Sequence, residues 1–345
     1  MALTAVLPVL LVSRLGRSLN FVAIGVGDSG RYHESVFTSN LEILMQSVIP
    51  NPRLGLICAV AAQVLWGCFP IYVFASRAIA PFDFVAHRAV WSFLLLANLV
   101  LLSKWDPNLG LPKRQEIRSG LSSRRTIILY GVAAILIASN WVAFVWSVMN
   151  DHAIDASLGY YICPLIVVLL GVVFLKEKLS KLRWIAVAFA TVGVVYTTFA
   201  EGTLLWVSMA IAGSFGFYGL IKKRAPLSAL GGLTFETGVL FLPAVAYLIW
   251  RAGTSSIELE DYPIWVYLLI VGSGAATILP LALYATAVKH LPLSTVGFLQ
   301  YIGPTIQFFL GVFLFNESMD YVRLTGFVFV WIGVFIFVLP TRKST

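Results

Sequence analysis

The chain has 345 residues, 59% of them apolar and 12% charged, with a net charge of +8 at neutral pH and a mean hydropathy of +0.89. Soluble domains carry roughly a quarter charged residues, so this chain cannot cover itself with a polar surface and reads as a polytopic membrane protein. Its positive charge lies in short loops between apolar runs, a pattern that encodes membrane orientation and excludes a nucleic-acid partner.

In chain order, residues 1–50 stand apart. An apolar stretch, Met1–Ser13, precedes Arg14 and Arg17, whereas a signal peptide carries its positive charge before the apolar run. The extension reads as a disordered or interfacial tail, or as an artefact of start-site choice, since Met45 lies just before the first span. Apolar runs of about 20 residues, the length of a membrane-crossing helix, then follow at 54–75, 82–103, 126–149, 154–175, 182–200, 203–221, 233–250, 264–287, 294–315 and 322–339. The expected fold is all-α, with ten transmembrane helices.

Lysines and arginines decide which way these spans face. One set of alternating loops holds Arg53, the cluster from Lys104 to Arg125, Lys176 to Arg183, Lys222 to Arg224, Lys289 and Arg342 with Lys343. The other set holds only Arg77, Arg251 and Arg323. Basic loops stay inside, so both termini are expected in the cytoplasm.

An internal duplication organises the chain. Residues 157–199 align without a gap on 297–339 at an offset of 140, with identities that include Tyr161/Tyr301, Pro164/Pro304, Gly171/Gly311, Glu177/Glu317, Arg183/Arg323 and Gly193/Gly333. The halves are 54–200 and 203–340. Five spans per half is an odd number, so the second half enters the membrane upside down relative to the first. The loops agree: Lys176–Arg183 carries four basic residues and Asn316–Arg323 carries one. Inverted repeats place a substrate site at their interface near the bilayer midplane.

Candidate site residues come from what hydrocarbon tolerates poorly. Pro164 and Pro304 lie roughly 15 Å into their spans, where each frees a carbonyl and bends its helix, and such backbone is tolerated against protein or a cavity. Polar and aromatic residues gather beside them, Tyr160, Tyr161 and Cys163 in one copy and Gln300, Tyr301 and Gln307 in the other. In the third span, Asn140 and Trp141 form a polar–aromatic pair. Substrate contact is expected from Asn140, Trp141, Tyr161, Gln300 and Tyr301 between the third, fourth, eighth and ninth spans. Pro164 and Pro304 would shape the walls, and Pro280 and Tyr284 would serve as the eighth-span counterpart. Asn140 has a competing role as an interhelical hydrogen-bond residue, and Trp66-Gly67 with Phe215-Gly216, matched at an offset of 149, read as close-packing positions.

Past the first two positions of a span the ionisable residues are His87, Arg88 and Glu236, and an offset of 149 matches His87 to Glu236. These three are the candidates for proton coupling or gating, although Arg88 is near enough to the outer surface to snorkel. Glu177 and Glu317, each six residues before an arginine, are expected to pair with it or to cap a helix. Cys58, Cys68 and Cys163 fall in apolar runs without metal-ligand spacing and read as small buried hydrophobes. The four histidines are scattered, no phosphate-binding GxxxxGK[ST] string occurs, and Gly25-Val-Gly-Asp28 sits in the polar N-terminal tail and reads as a chance string; no metal or cofactor is expected. Asn316-Glu-Ser318 is a glycosylation sequon close to the membrane.

His87-Arg-Ala-Val-Trp-Ser92, Asn140-Trp141, Ala156-Ser-Leu-Gly-Tyr-Tyr-Ile-Cys-Pro164 and Leu293-Ser-Thr-Val-Gly-Phe-Leu-Gln-Tyr-Ile-Gly-Pro304 resemble the RarD group of the EamA family, within the drug/metabolite transporter superfamily. The likeness runs from about residue 54 to 340. It implies two inverted EamA repeats, a bacterial cytoplasmic-membrane location and secondary transport of small organic solutes or drugs by alternating access, with a link to chloramphenicol sensitivity or resistance. The expected partners are such a solute and the lipid bilayer, and a homodimer is compatible with the sequence. The rival readings are a membrane sensor or scaffold that transports nothing and an intramembrane enzyme; the second lacks a convergent nucleophile and base.

Overall fold

The computed structural model describes residues 50–103, 112–150, 153–201, 205–254, 262–315 and 321–339. The N-terminal extension, the Gly25–Asp28 string, Glu317 and the Asn316–Ser318 sequon lie outside them. Every element among the described residues is an α-helix: α1 (Pro52–Ala75), α2 (Pro81–Leu102), α3 (Arg114–Leu121), α4 (Arg124–Met149), α5 (Ala153–Leu175), α6 (Lys181–Glu201), α7 (Leu205–Arg224), α8 (Ala229–Thr254), α9 (Ile264–His290), α10 (Leu293–Leu299), α11 (Ile302–Phe313) and α12 (Tyr321–Val338).

Nine stretches among the described residues are long and apolar enough to cross a membrane, with Leu293–Phe313 counted as one. Helix α7, on the span read at 203–221, is outside the nine; its glycines, serines and the basic end Lys222–Arg224 dilute its apolar character. The short helix α3 lies within the basic connection that runs from Lys104 to Arg125. Glu116 of α3 accepts hydrogen bonds from the Ser228 backbone N–H and hydroxyl, so the loop is fastened to the start of α8.

Local sequence explains where helices begin. At the end of the bundle that carries the basic loops, polar side chains take up backbone N–H groups that the first turn leaves free. Asn51 accepts from Leu54 at 3.1 Å, Ser123 from Thr126 at 3.3 Å, Ser180 from Arg183 at 3.3 Å and Ser228 from Gly231 at 3.1 Å. At the opposite end α2 opens on Pro81 and α9 follows Pro263, where proline needs no N–H partner.

The outside is greasier than the inside. Leu242, Ile249, Phe335 and Phe199 are each more than two-thirds exposed, which suits lipid and not water, while the interior collects Ala, Gly, Ser, Thr and aromatic rings. Small residues let helices approach closely where no hydrophobic driving force separates lipid from protein. Helix α6 packs on α12, α5 on α7 and α10, α9 on α1 and α2, α8 on α2 and α4, α4 on α7, and α11 on α1.

The contacts come in related pairs. A Cβ added at Gly193 would lie 2.5 Å from the Gly326 carbonyl oxygen, and one at Gly333 would lie 2.8 Å from that of Ala186; an offset of 140 converts one contact into the other. Gly67 meets Ile306 and Gly216 meets Ile166, both within 3 Å of an added Cβ, and the offsets 149 and 140 interchange them. Three aromatic pairs join a residue to its own repeat counterpart: Phe189 with Phe329, Tyr161 with Tyr301 and Trp66 with Phe215, at centroid distances of 6.4, 5.9 and 5.6 Å.

Candidate functional site

The ninth predicted span is not one helix. Pro304 has no N–H for the Gln300 carbonyl, and its ring crowds that carbonyl. The chain answers with tighter turns: Gln300 N–H bonds Gly297 O at 3.1 Å, Tyr301 N–H bonds Phe298 O at 3.3 Å and Gly303 N–H bonds Gln300 O at 3.2 Å. The break between α10 and α11 falls at Gln300–Tyr301. Its repeat partner behaves differently, since α5 runs through Pro164 without interruption; the expected matching bends become a break in one copy and a continuous helix in the other. A third proline, Pro70, frees the Trp66 carbonyl of α1, and Gln307 Nε2 donates to it at 3.1 Å. The sequence places Gln307 beside Pro304; its bond to α1 depends on tertiary structure.

These irregularities surround a cavity of about 840 Å³. Its walls come from both halves: Gln63 and Trp66 of α1, Arg88 of α2, Asn140 and Trp141 of α4, Tyr160 of α5, Phe215 of α7, Thr277 of α9, and Gln300 with Pro304 at the break. Non-helical backbone at this depth is tolerated against such a space. The lining extends to Phe74, Ser76, Arg77 and Pro81 around the α1–α2 turn and to Phe315 after α11. It reaches one end of the bundle; at the other, basic end it stops in mid-helix.

That basic end is closed by a set of polar contacts. Glu177 is correctly read as an end-of-span residue, but it does not pair with Arg183. Its carboxylate accepts from the Leu293 and Ser294 N–H groups at 2.6 and 2.9 Å, capping α10, which belongs to the other half. Lys176 makes this reach with a left-handed backbone (φ 55°) that turns the chain back, and Glu177 N–H bonds Gly171 O at 3.1 Å. Arg183 instead lies over the Phe337 ring at 4.9 Å. Nearby, Lys223 donates to Leu291 O at 2.6 Å, Lys289 donates to Leu227 O, and Leu227 N–H donates to Tyr130 Oη at 3.1 Å.

The predicted site residues separate into groups. Asn140, Trp141, Gln300 and Pro304 line the cavity; Tyr161, Tyr301 and Pro164 do not. Tyr161 and Tyr301 face each other in a neighbouring core with Phe298 and Phe327. Pro280 and Tyr284 are buried behind the wall, Tyr284 against Trp66 and Phe215. Arg88 does not snorkel to the outer surface but turns into the cavity, with its guanidinium over the Trp141 ring at 4.7 Å. His87 is half-buried and outside the lining. Glu236, 2% exposed, is also outside it, paired with Lys222 Nζ at 2.7 Å and accepting from Tyr218 Oη at 2.9 Å. Gln63 and Thr277 are lining residues that sequence reasoning misses; a glutamine inside the first apolar run was the available signal for the first of them.

Asn140 is a bracket in the wall. Its Nδ2 donates to Ile211 O at 2.9 Å and Ser214 Oγ at 3.2 Å, and its Oδ1 accepts from Tyr160 Oη at 3.1 Å, so one amide ties α4 to α5 and α7. Asn140→Ala leaves the Tyr160 hydroxyl without its acceptor, while Ile211 O keeps the bond from Ser214 Oγ at 3.0 Å. The expected loss is about 1–3 kcal/mol of stability, with solute movement abolished because Tyr160 is released. A thermal-unfolding midpoint and a flux assay on the same preparation check both.

Known proteins resemble this chain. A model of the EamA-like transporter family matches residues 53–199. An uncharacterized transporter of Pseudomonas aeruginosa is 41% identical over 294 residues, covering 85% of this chain and 96% of its own. The uncharacterized transporter YojE of Bacillus subtilis is 38% identical, covering 84% and 95%, and the protein RarD of Escherichia coli is 34% identical, covering 85% and 97%. A solved crystal structure superposes with a TM-score of 0.65 at 15% identity, covering 85% of this chain and all of that one, a likeness of fold. The chain belongs to the RarD group of the EamA-like transporter family and is a multi-pass membrane transporter.

Proposed function

We propose that the chain is a secondary transporter of the bacterial inner membrane that carries small organic solutes across it by alternating access of the central cavity. The observation that carries this reading is the cavity itself: it lies between the two halves, reaches one end of the bundle and is closed at the other by contacts between them. The closed end bears Lys176, Lys178, Lys181, Lys222, Lys223 and Lys289, so the positive-inside rule makes it the cytoplasmic end, with both termini on that side and the cavity facing outward.

In this reading α7 is the sixth span and brings the count to ten; its 20 residues rise about 30 Å, enough to cross. The second half is the first half inverted. The helix pairing supports this, because exchanging the halves turns α1 against α9 into α7 against α4, and α1 against α11 into α7 against α5. A two-fold axis through the Tyr161–Tyr301, Phe189–Phe329 and Trp66–Phe215 pairs relates a contact in one half to its mate in the other. Switching access then means that the closure at the basic end opens while its symmetry counterpart forms at the other end.

The test is flux in liposomes holding the purified chain, with amphenicols, amino acids and aromatic metabolites as solutes; amphenicols enter because one P. aeruginosa relative is named a chloramphenicol-sensitive protein. Saturable movement of at least one solute is expected. A chain that moves none of them, with Asn140→Ala behaving like wild type in every respect, would be a scaffold. Repeating the assay with a proton gradient separates a coupled carrier from a facilitator. Coupling through Glu236 predicts that the gradient loses its effect in Glu236→Gln combined with Lys222→Gln, which removes both buried charges together.

A further inference from the structure

The cavity wall carries an uncompensated charge. Arg88 Nε donates to Thr277 Oγ1 at 2.9 Å, and the guanidinium carbon stands 4.7 Å from the Trp141 ring centroid and 5.0 Å from that of Phe69. These contacts hold the plane of the group, but no described residue accepts from its two Nη groups. No aspartate or glutamate lines the cavity. The described ion pairs lie elsewhere, Lys222 with Glu236 and Arg251 with Asp83. A cation within a membrane protein is costly without a partner, and such groups mark substrate paths.

A second group in the same wall is also unsatisfied. Gln300 is 5% exposed, and neither its Nε2 nor its Oε1 finds a hydrogen-bond partner among the described residues; the Tyr284 hydroxyl is a neighbour, but the two do not meet in bonding geometry. A buried amide with both ends free has polar matter missing beside it. Its place at the α10–α11 break makes it part of the cavity wall.

We propose that the transported solute is an organic monoanion: a carboxylate bonded to the Nη groups of Arg88, a neutral polar group bonded to Gln300, and an aromatic or apolar body between Trp66, Trp141 and Phe84. The planar guanidinium fork matches the two oxygens of a carboxylate. Arg77 also lines the cavity, but it is exposed at the α1–α2 turn and lies over the Phe74 ring at 4.6 Å. Arg88 is the single cation held among the inner lining residues, and one such charge balances one negative charge, which favours a carboxylate over a phosphate dianion. This assignment rests on the transporter reading above and adds the charge class of the cargo.

Matched solutes test it. Indole-3-acetate, indole-3-acetamide and tryptamine share a ring and differ in charge; phenylacetate, phenylacetamide and phenethylamine form a second set. Affinity for the purified full chain is read by thermal shift and by tryptophan fluorescence, and flux is read in liposomes. In at least one set the carboxylate is expected to bind on the order of ten- to a hundredfold more tightly than its amide. Arg88→Gln should bring that ratio to about one, with Arg88→Lys retaining part of it. Should Arg88→Gln fail to fold, Thr277→Val, which removes the group that orients Nε, should lower the same ratio. Equal binding of acid and amide, or preference for the amine, overturns the anion assignment. If an amide or amine still moves across the membrane, the transporter reading survives that failure. If none of the six binds or moves, the anion assignment falls, and the transporter reading is decided separately by the wider solute panel and Asn140→Ala.

Discussion

Glu236→Ala is expected to cost the folded chain about 3–5 kcal/mol, because it leaves Lys222 buried without its counter-charge. Lys222 is 1% exposed and donates to Glu236 at 2.7 Å; its remaining company is the rings of Tyr130 and Tyr218, each 5.6 Å from Nζ. Aromatic faces attract a cation but do not replace a carboxylate. The Tyr218 hydroxyl loses its acceptor in the same step. Removing both charges together reverses most of this loss, since a buried pair exchanged for apolar groups of similar volume is often neutral or stabilising. Lys222→Met with Glu236→Leu should therefore unfold close to wild type in detergent, well above either single variant. A single alanine variant as stable as wild type would mean that water already solvates the lysine.

The second large effect is expected at the α6–α12 contact. Gly193→Leu places a side chain where the nearest heavy atoms are the Gly326 carbonyl oxygen at 2.5 Å and Phe329 Cβ at 3.0 Å from the new Cβ. A backbone atom cannot move aside as a side-chain tip can, so the helices must separate. Overpacking a tight core costs about 1–3 kcal/mol, and a backbone obstacle puts this variant at or above the upper figure. Gly333→Leu should behave alike, as its added Cβ meets the Ala186 carbonyl oxygen at 2.8 Å and the Ala190 nitrogen at 3.2 Å. Gly131 and Gly213 serve as controls, having nothing within 4 Å of an added Cβ. Alanine at either should be neutral or gain up to about 1 kcal/mol of helix propensity. Unfolding midpoints of the four variants rank the sites.

Sequence reading went furthest where a contact joins equivalent positions. The offset of 140 lines up Gly193 with Gly333 and Phe189 with Phe329, and the folded chain brings each set to the same α6–α12 contact. It was least informative where a side chain is oriented by a helix distant in sequence. Arg88 could be placed in a span by counting residues. That it turns inward depends on Thr277, 189 positions away, and on Trp141. Asn140 was legible as a polar group needing a partner, but its acceptor lies 71 residues along the chain. Glu177 has an arginine close in sequence, yet a helix end 116 residues away offers two convergent N–H groups, and a carboxylate between two amides is better bonded than one beside a solvated guanidinium. Pro164 and Pro304 look equivalent in the alignment. Whether a proline bends or breaks its helix depends on what receives the freed carbonyl, and that is a property of the neighbouring helices.

The central claim, that one cavity is exposed to the two sides of the membrane in turn, is tested most directly by side-specific labelling of its wall. Cys58, Cys68 and Cys163 are replaced by alanine, and Ser157, which lines the cavity, is changed to cysteine. The full-length chain is reconstituted in vesicles and exposed to a membrane-impermeant thiol reagent from the outer face or from the cytoplasmic face. Reaction is predicted from both faces, faster from the outer one, with a transported solute slowing both and Glu177→Gln raising the cytoplasmic rate by loosening the cap on α10. Labelling that comes from one face only, whatever solute is present, would contradict alternating access.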